Sequence, residues 1–145
     1  MKIGLDTNDD YILKTFKKDL KSKGIFIVDM DLQTRKSIGN EVFEKVIIAN
    51  TSSLDFYLKV EVRKGNDSIK IYSGEKEESK NFSKFLKDNL KELNVENISL
   101  ENGENYYLIK NINIPVSIIK VYVSENSRLD KKLLNEKIIE CILKI

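Results

Sequence analysis

The sequence contains no histidine. That absence excludes a Ser-His-Asp triad, a Cys-His dyad and any His-ligated metal centre built from this chain alone. Cysteine occurs once, as Cys141 in an apolar terminal segment, so the chain forms neither a disulfide framework nor a cysteine zinc site. Cys141 reads as a small core side chain. Tryptophan is absent, and proline occurs once, at Pro115. No apolar run approaches the roughly twenty residues that span a bilayer, and no N-terminal stretch resembles a signal peptide. On that reading the chain is cytoplasmic, or a fragment whose export signal has been cut away. Neither sign of charge dominates: 25 Lys and Arg stand against 23 Asp and Glu, interleaved along most of the chain. A surface that tracks phosphates concentrates its cations, so this pattern reads as a solvated mixed surface with no nucleic acid as partner.

What is present starts with length. A chain of 145 residues supports one domain with a substantial core, taken as residues 1–145. Its longest apolar run is Ile114 to Asn126, opened by Pro115 and interrupted by one charge, Lys120. Such a run reads as a central strand buried on both faces. A buried ammonium costs several kcal/mol unless it is paired or reaches water, so Lys120 requires a partner carboxylate or an open cleft.

Taken in order, Lys2 to Leu5 reads as a strand, and Asp6 to Asp10 supplies turn and N-cap chemistry for a helix from about Tyr11 to Ser22. Its apolar positions Ile12, Phe16 and Leu20 share one face, and Gly24 is its stop. Ile25 to Val28 is a second strand, followed by a polar connection through Gln33 and Arg35. A second helix runs from Ser37 to Asn50 with Ile38, Val42, Val46 and Ala49 inward, and Ser52 and Ser53 end it. Phe56 to Arg63 alternates as a strand, with Phe56, Leu58, Val60 and Val62 on one face and Tyr57, Lys59, Glu61 and Arg63 on the other. Lys64 to Asp67 is a turn, after which Ile69 to Tyr72 is expected to pair back as a hairpin. An acidic lead-in from Gly74 to Glu78 precedes a helical stripe of Phe82, Phe85, Leu86, Leu90 and Leu93. Ile98 to Leu100 and Tyr106 to Ile109 read as short extended pieces around an Asn102-Gly103 turn. Asp130 to Lys144 is a closing helix. Helices alternate with strands, which predicts an α/β fold with the sheet sandwiched between helices.

Three stretches, in this order, resemble the zinc-dependent N-acetylmuramoyl-L-alanine amidases. These cell-wall hydrolases cut the bond between muramic acid and the stem peptide. Their opening strand ends in a D-P-G-H-G turn, where this chain reads Leu5-Asp6-Thr7-Asn8-Asp9-Asp10. Their I-A-N helix end and D-L-F-V-S-I-H-A-N strand are matched by Ile48-Ala49-Asn50 and Asp55-Phe56-Tyr57-Leu58-Lys59-Val60-Glu61-Val62. Their Y-V-L-R-N-T-x-M-P-A-V-L-V-E-L-G-F-I-S-N pattern is matched from Tyr107 through Pro115 and Lys120 to Asn126, without a gap from the proline to the final asparagine. Tyr72-Ser73 and the pair Leu133-Leu134 also suit the family. The resemblance implies an amidase-like, single-domain, three-layer α/β/α architecture with a mostly parallel mixed sheet of about six strands.

The catalytic positions depart from the pattern. Carried over residue by residue, the first zinc histidine falls on Asp9, the second on Glu61 and the catalytic glutamate on Lys120. The ligand glutamate has no counterpart, its loop being deleted between Asp10 and Tyr11. A catalytic zinc needs about three good ligands, and a lysine at the base position repels the metal and is a poor proton acceptor. The chain is therefore identified as a degenerate member of this family, lacking the zinc ligands, with no cofactor expected although the family carries zinc. Three readings of Asp9, Glu61 and Lys120 stand open. In one, the ammonium lies between two carboxylates in place of the metal. In another, Lys120 snorkels to solvent beside a solvated rim. In the third, the two carboxylates bind Mg²⁺ or Ca²⁺ against the repulsion of Lys120.

Other features carry less chemistry. Tyr57, Tyr72, Tyr106 and Tyr107 suit either a sugar-binding platform or ordinary half-buried packing. Gly4 and Gly24 belong to no phosphate-cradling motif, and Ser73 and Ser117 have no base to activate them. The expectation is a catalytically inactive amidase-like domain that binds peptidoglycan fragments or docks onto a cell-wall protein. The alternative is a divergent peptidoglycan hydrolase that keeps activity through an altered site. A trimmed export signal, a phage origin or a cytoplasmic role would each account for the lack of a signal peptide.

Overall fold

Strand β1 (Lys2–Thr7) leads straight into helix α1 (Asp10–Lys21). Asp9 makes the turn between them: its Oδ1 accepts from the Ile12 N–H at 3.0 Å, satisfying a donor that a helix start leaves free. Ile12, Phe16 and Leu20 are fully buried, as their spacing predicts. Gly24 follows the helix with φ of +78°, a left-handed conformation in which a side chain would be strained. Strand β2 (Phe26–Asp29), helix α2 (Ile38–Thr51) and strand β3 (Phe56–Lys64) come next. The computed structural model describes residues 1–31 and 38–145, apart from the side chains of 38–40. The connection through Gln33 and Arg35, the expected Ser37 helix start and the inward side chain of Ile38 lie outside the described residues.

Strand β4 (Ser68–Ser73) is followed by helix α3 (Glu77–Asn89), which tightens into a 3-10 turn at Leu90–Glu92. Strand β5 (Asn97–Asn102), short helix α4 (Tyr107–Asn111), strand β6 (Val116–Val123) and helix α5 (Lys131–Ile142) complete the chain. The six strands form one sheet in the order β2-β1-β3-β6-β4-β5. Strands β2, β1, β3 and β6 run parallel, β4 is antiparallel to β6, and β5 is parallel to β4. The apolar run of residues 114–126 thus holds an interior strand, with Val116, Ser117, Ile118, Ile119 and Val121 buried.

Helices α1, α3 and α5 cover one face of this sheet, over a core containing Leu5, Phe16, Phe56, Leu58, Val60, Ile119 and Ile138. Helices α2 and α4 pack together on the other face, over a smaller core of Met30, Val46, Ala49, Tyr57, Leu108, Ile112 and Ile118. The architecture is the three-layer α/β/α arrangement with a mixed, six-stranded sheet that the sequence predicts.

Two local expectations are corrected. Strands β3 and β4 do not form a hairpin, because β6 lies between them. The loop Gly65–Asp67 arches over the end of β6, with the Gly65 N–H donating to the Val123 carbonyl at 3.0 Å and the Ser124 N–H to Asp67 Oδ1 at 2.8 Å. A turn signal fixes the reversal of the chain, but the slot left between the two arms is wide enough for a strand that arrives fifty residues later. The segment Tyr106 to Ile109 is likewise not extended; it enters α4, because Leu108 and Ile112, four apart, both reach the smaller core. On α3 the stripe is buried at Phe82, Leu86, Leu90 and Leu93, while Phe85 sits at its margin beneath the Lys144 ammonium, 4.4 Å from the ring centroid.

Candidate functional site

The face under α2 and α4 is apolar at one end and polar at the other. Tyr57 and Ile118, near the start of β3 and β6, lie in the smaller core. Further along the strands, two pleat repeats from Tyr57 and one from Ile118, the same face presents Glu61 and Lys120, toward the carboxyl ends of parallel strands, where crevices in α/β sheets form. The register sets Glu61 opposite Lys120, Lys70 of β4 opposite Lys120, and Arg63 opposite Tyr122. The Lys120 ammonium lies 3.9 Å from Glu61 Oε2, an ion pair without a hydrogen bond. It sits 5.0 Å from the Tyr106 ring centroid and 5.7 Å from that of Tyr72, so two aromatic faces share its charge. Those rings meet edge to face with centroids 4.9 Å apart. Burial, and then the Tyr106 neighbour, push the Tyr72 phenol up to about 12. Glu61 Oε1 accepts from the Arg63 guanidinium at 2.6 Å. Both side chains of the Lys120–Glu61 pair are mostly covered, at 17% and 15% exposed. This is neither the fully solvated rim nor the closed cluster: the ammonium is paired on one side and open on the other.

Asp9 is not part of that pair. Its Oδ1 caps α1, and its Oδ2 accepts from the Lys131 ammonium at 2.7 Å. Lys131 begins α5, so Asp9 is turned toward the α1 and α5 layer, while Glu61 and Lys120 are on the other face of the sheet. Burial raises the Asp9 carboxyl, but the Lys131 hydrogen bond, the Ile12 N–H and the Lys131 charge outweigh it and hold Asp9 below its ordinary value. Asn8 fixes this turn against β3: its side-chain amide donates to the Val62 carbonyl at 2.9 Å and its Oδ1 accepts from the Val62 N–H at 2.9 Å.

The β1 carboxylate on the cleft side is Asp6, which sequence reasoning passed over. It is buried, accepting from the Lys45 ammonium at 3.0 Å and from the Tyr57 hydroxyl at 2.7 Å. Lys45 also pairs with Glu41 at 3.3 Å and Asp31 at 3.8 Å. Burial pushes the Lys45 ammonium down, yet the carboxylates of Asp6 and Glu41 raise it above its ordinary value. Burial and the Asp6 charge raise the Tyr57 phenol well beyond the usual range, so it acts as a fixed hydrogen-bond donor. A signal for this network existed: Lys45 falls at i+3 from Val42 and i−4 from Ala49, a charge on the apolar stripe of α2.

Comparisons with solved structures decide the architecture. The catalytic domain of the CD27L endolysin targeting Clostridioides difficile superposes with a TM-score of 0.79 at 11% identity, covering 99% of this chain and 97% of that one. The fold is that of the N-acetylmuramoyl-L-alanine amidase catalytic domains. The amidase from Mycobacterium smegmatis matches with a TM-score of 0.74 at 12% identity, over 99% of this chain and 95% of its own. The CwlD amidase from Clostridioides difficile, solved in complex with the GerS lipoprotein, matches with a TM-score of 0.63 at 19% identity, over 98% and 86%. No family model matches the sequence, and no curated protein matches it.

On the amidase fold, the chemistry of the donor set can be tested against zinc. Glu61 is held by two cations, and Asp9 by a helix terminus and a third. Among the described residues, no three His, Cys, Asp or Glu side chains group as a metal site. Glu61 and Asp9, each held by its own cations and turned to opposite layers, are not brought together as the ligand pair that the family resemblance implies. Of the four tyrosines considered as a platform, Tyr72 and Tyr106 stand beside Lys120, Tyr57 is buried against Asp6, and Tyr107 is exposed on α4. Ser117 is fully buried, and Cys141 is a buried thiol that burial pushes up to about 11. Neither has the environment of a nucleophile.

Proposed function

We propose that this chain is a catalytically inactive amidase-fold domain that binds or scaffolds in a peptidoglycan, cell-wall context. One observation carries the reading: on the sheet face toward the carboxyl ends of β3 and β6 stands the Lys120 ammonium, with Glu61 committed to Lys120 and Arg63. The resemblance puts a general base at Lys120 and a metal ligand at Glu61. An ammonium has no lone pair with which to take a proton from an attacking water, and a carboxylate shared by two cations is a poor metal ligand. The match in fold extends over 99% of this chain and 97% of a catalytic domain. A domain that keeps the fold and carries an ammonium at the position of the base is suited to recognition of wall fragments or to docking on a partner. An amidase of this fold is known in complex with a lipoprotein, which makes docking a concrete form of the role.

The test is an assay of stem-peptide release from purified cell walls alongside co-sedimentation with the same walls. Sedimentation with the walls, or with a wall-associated protein, without release is the expected result. Turnover above that of a heat-inactivated control would replace this reading with that of a divergent hydrolase.

A further inference from the structure

The cleft face carries more cation than its own carboxylate neutralises. On β3, β6 and β4 this face presents Lys59, Arg63, Lys70 and Lys120 with one carboxylate, Glu61, and β5 adds Glu101 beside Tyr72. Lys70 and Lys120 are direct cross-strand partners, an arrangement that costs stability in a sheet interior. Lys70 lies beside Tyr122, its ammonium 5.9 Å from the ring centroid. Among the described residues the Lys120 ammonium makes no hydrogen bond: Glu61 Oε2 is 3.9 Å away, and its other neighbours are the ring faces of Tyr72 and Tyr106. Its charge is held in place, and its N–H donors are left for something else.

We propose that this shelf binds the free carboxylate of a peptide ligand, with Lys120 donating to it and Lys70 supplying the second positive charge. The inference rests on the binding reading above and deepens it by naming the ligand chemistry. A carboxylate fits better than a phosphate. Glu61, bonded to Arg63 at 2.6 Å, remains beside the ligand and disfavours a second negative charge. The Tyr72 and Tyr106 rings, packed edge to face, supply a rigid apolar floor for the residue that bears the carboxylate.

The experiment is an NMR titration of the ¹⁵N-labelled full chain with N-acetyl-dialanine, with its C-terminal amide, and with inorganic phosphate. The acid is expected to shift amides of β3, β4 and β6 around Lys120, and to bind at least about tenfold more tightly than the amide. Lys120→Met should weaken the acid by at least about tenfold, and Glu61→Gln, which removes a competing carboxylate, should tighten it by about threefold. Lys70→Gln should also weaken it, and decides the matter if Lys120→Met fails to fold. Absence of binding, equal binding of acid and amide, or tighter binding of phosphate would overturn the proposal. These peptides contain no muramoyl amide, so the outcome is independent of hydrolysis. Failed binding without turnover on cell walls removes this site assignment and leaves the inactive-domain reading standing.

Discussion

Among the lysines that meet carboxylates, Lys45, Lys120 and Lys131 bear on the site, and burial decides what each contributes. Lys45 is the most enclosed, sharing Asp6 with the Tyr57 hydroxyl inside the α2 layer. Lys45→Met should destabilise the fold by about 3 kcal/mol or more, because it strands a buried carboxylate. Adding Asp6→Asn should recover part of that loss, and chemical denaturation of the two variants checks it. Lys120→Met should cost only about 1 kcal/mol, since Glu61 keeps Arg63 and the ion pair is long. The third pair, Asp9 with Lys131, has a pH signature. A carboxyl held below its ordinary value of 3.8 supplies stability that is present above that pH and is lost as pH falls through the lower folded value. Asp9→Asn should therefore be less stable than the parent at pH 7, and the gap should close on acidification below pH 3.8, as followed by urea denaturation at both pH values. The sequence made Lys120 conspicuous because it interrupts an apolar run. It hid Lys45, because a lysine on a surface helix looks ordinary until its angular position is counted.

Elements of this fold were legible wherever one face of one segment decides its conformation. Ile12, Phe16 and Leu20 on α1, and the alternation of β3, predict what the structure contains. What escaped was the partner of each strand. The Lys64 to Asp67 turn reads as a hairpin because local chemistry reports a chain reversal and nothing more; that β6 fills the slot is a long-range fact carried by no residue in the turn. The extended reading of Tyr106 to Ile109 failed for a related reason: one turn of helix is too short to show a period, and only the core beneath reveals why Leu108 and Ile112 need it. Asn8 escaped because it acts as a backbone surrogate, extending the β1–β3 ladder with an amide side chain. Asn8→Ala should cost about 1–2 kcal/mol by removing two hydrogen bonds to Val62, and faster hydrogen exchange at the Val62 amide would check it. Gly24→Ala should cost about 1 kcal/mol in melting experiments, because φ at that position is +78°.

As a whole molecule, the chain joins an amidase catalytic-domain fold to a cleft whose chemistry is cationic. The fold could be read from sequence because apolar periodicity and turn placement persist at identities as low as 11%. The cleft could be read only in part. Lys120 and Glu61 are cross-strand neighbours as strand parity suggests, whereas Asp9 belongs to the opposite layer and Asp6 holds the place beside α2. That difference matters for function, since among the described residues Glu61 is the carboxylate paired with Lys120, while Asp6 is sealed by Lys45 and Tyr57. The most direct measurement of the central claim is the zinc content of the full chain, purified without chelator and dialysed against trace zinc. The account predicts far less than one zinc per chain, with no change when Lys120 is replaced by methionine. One zinc bound per chain in the parent protein would contradict it.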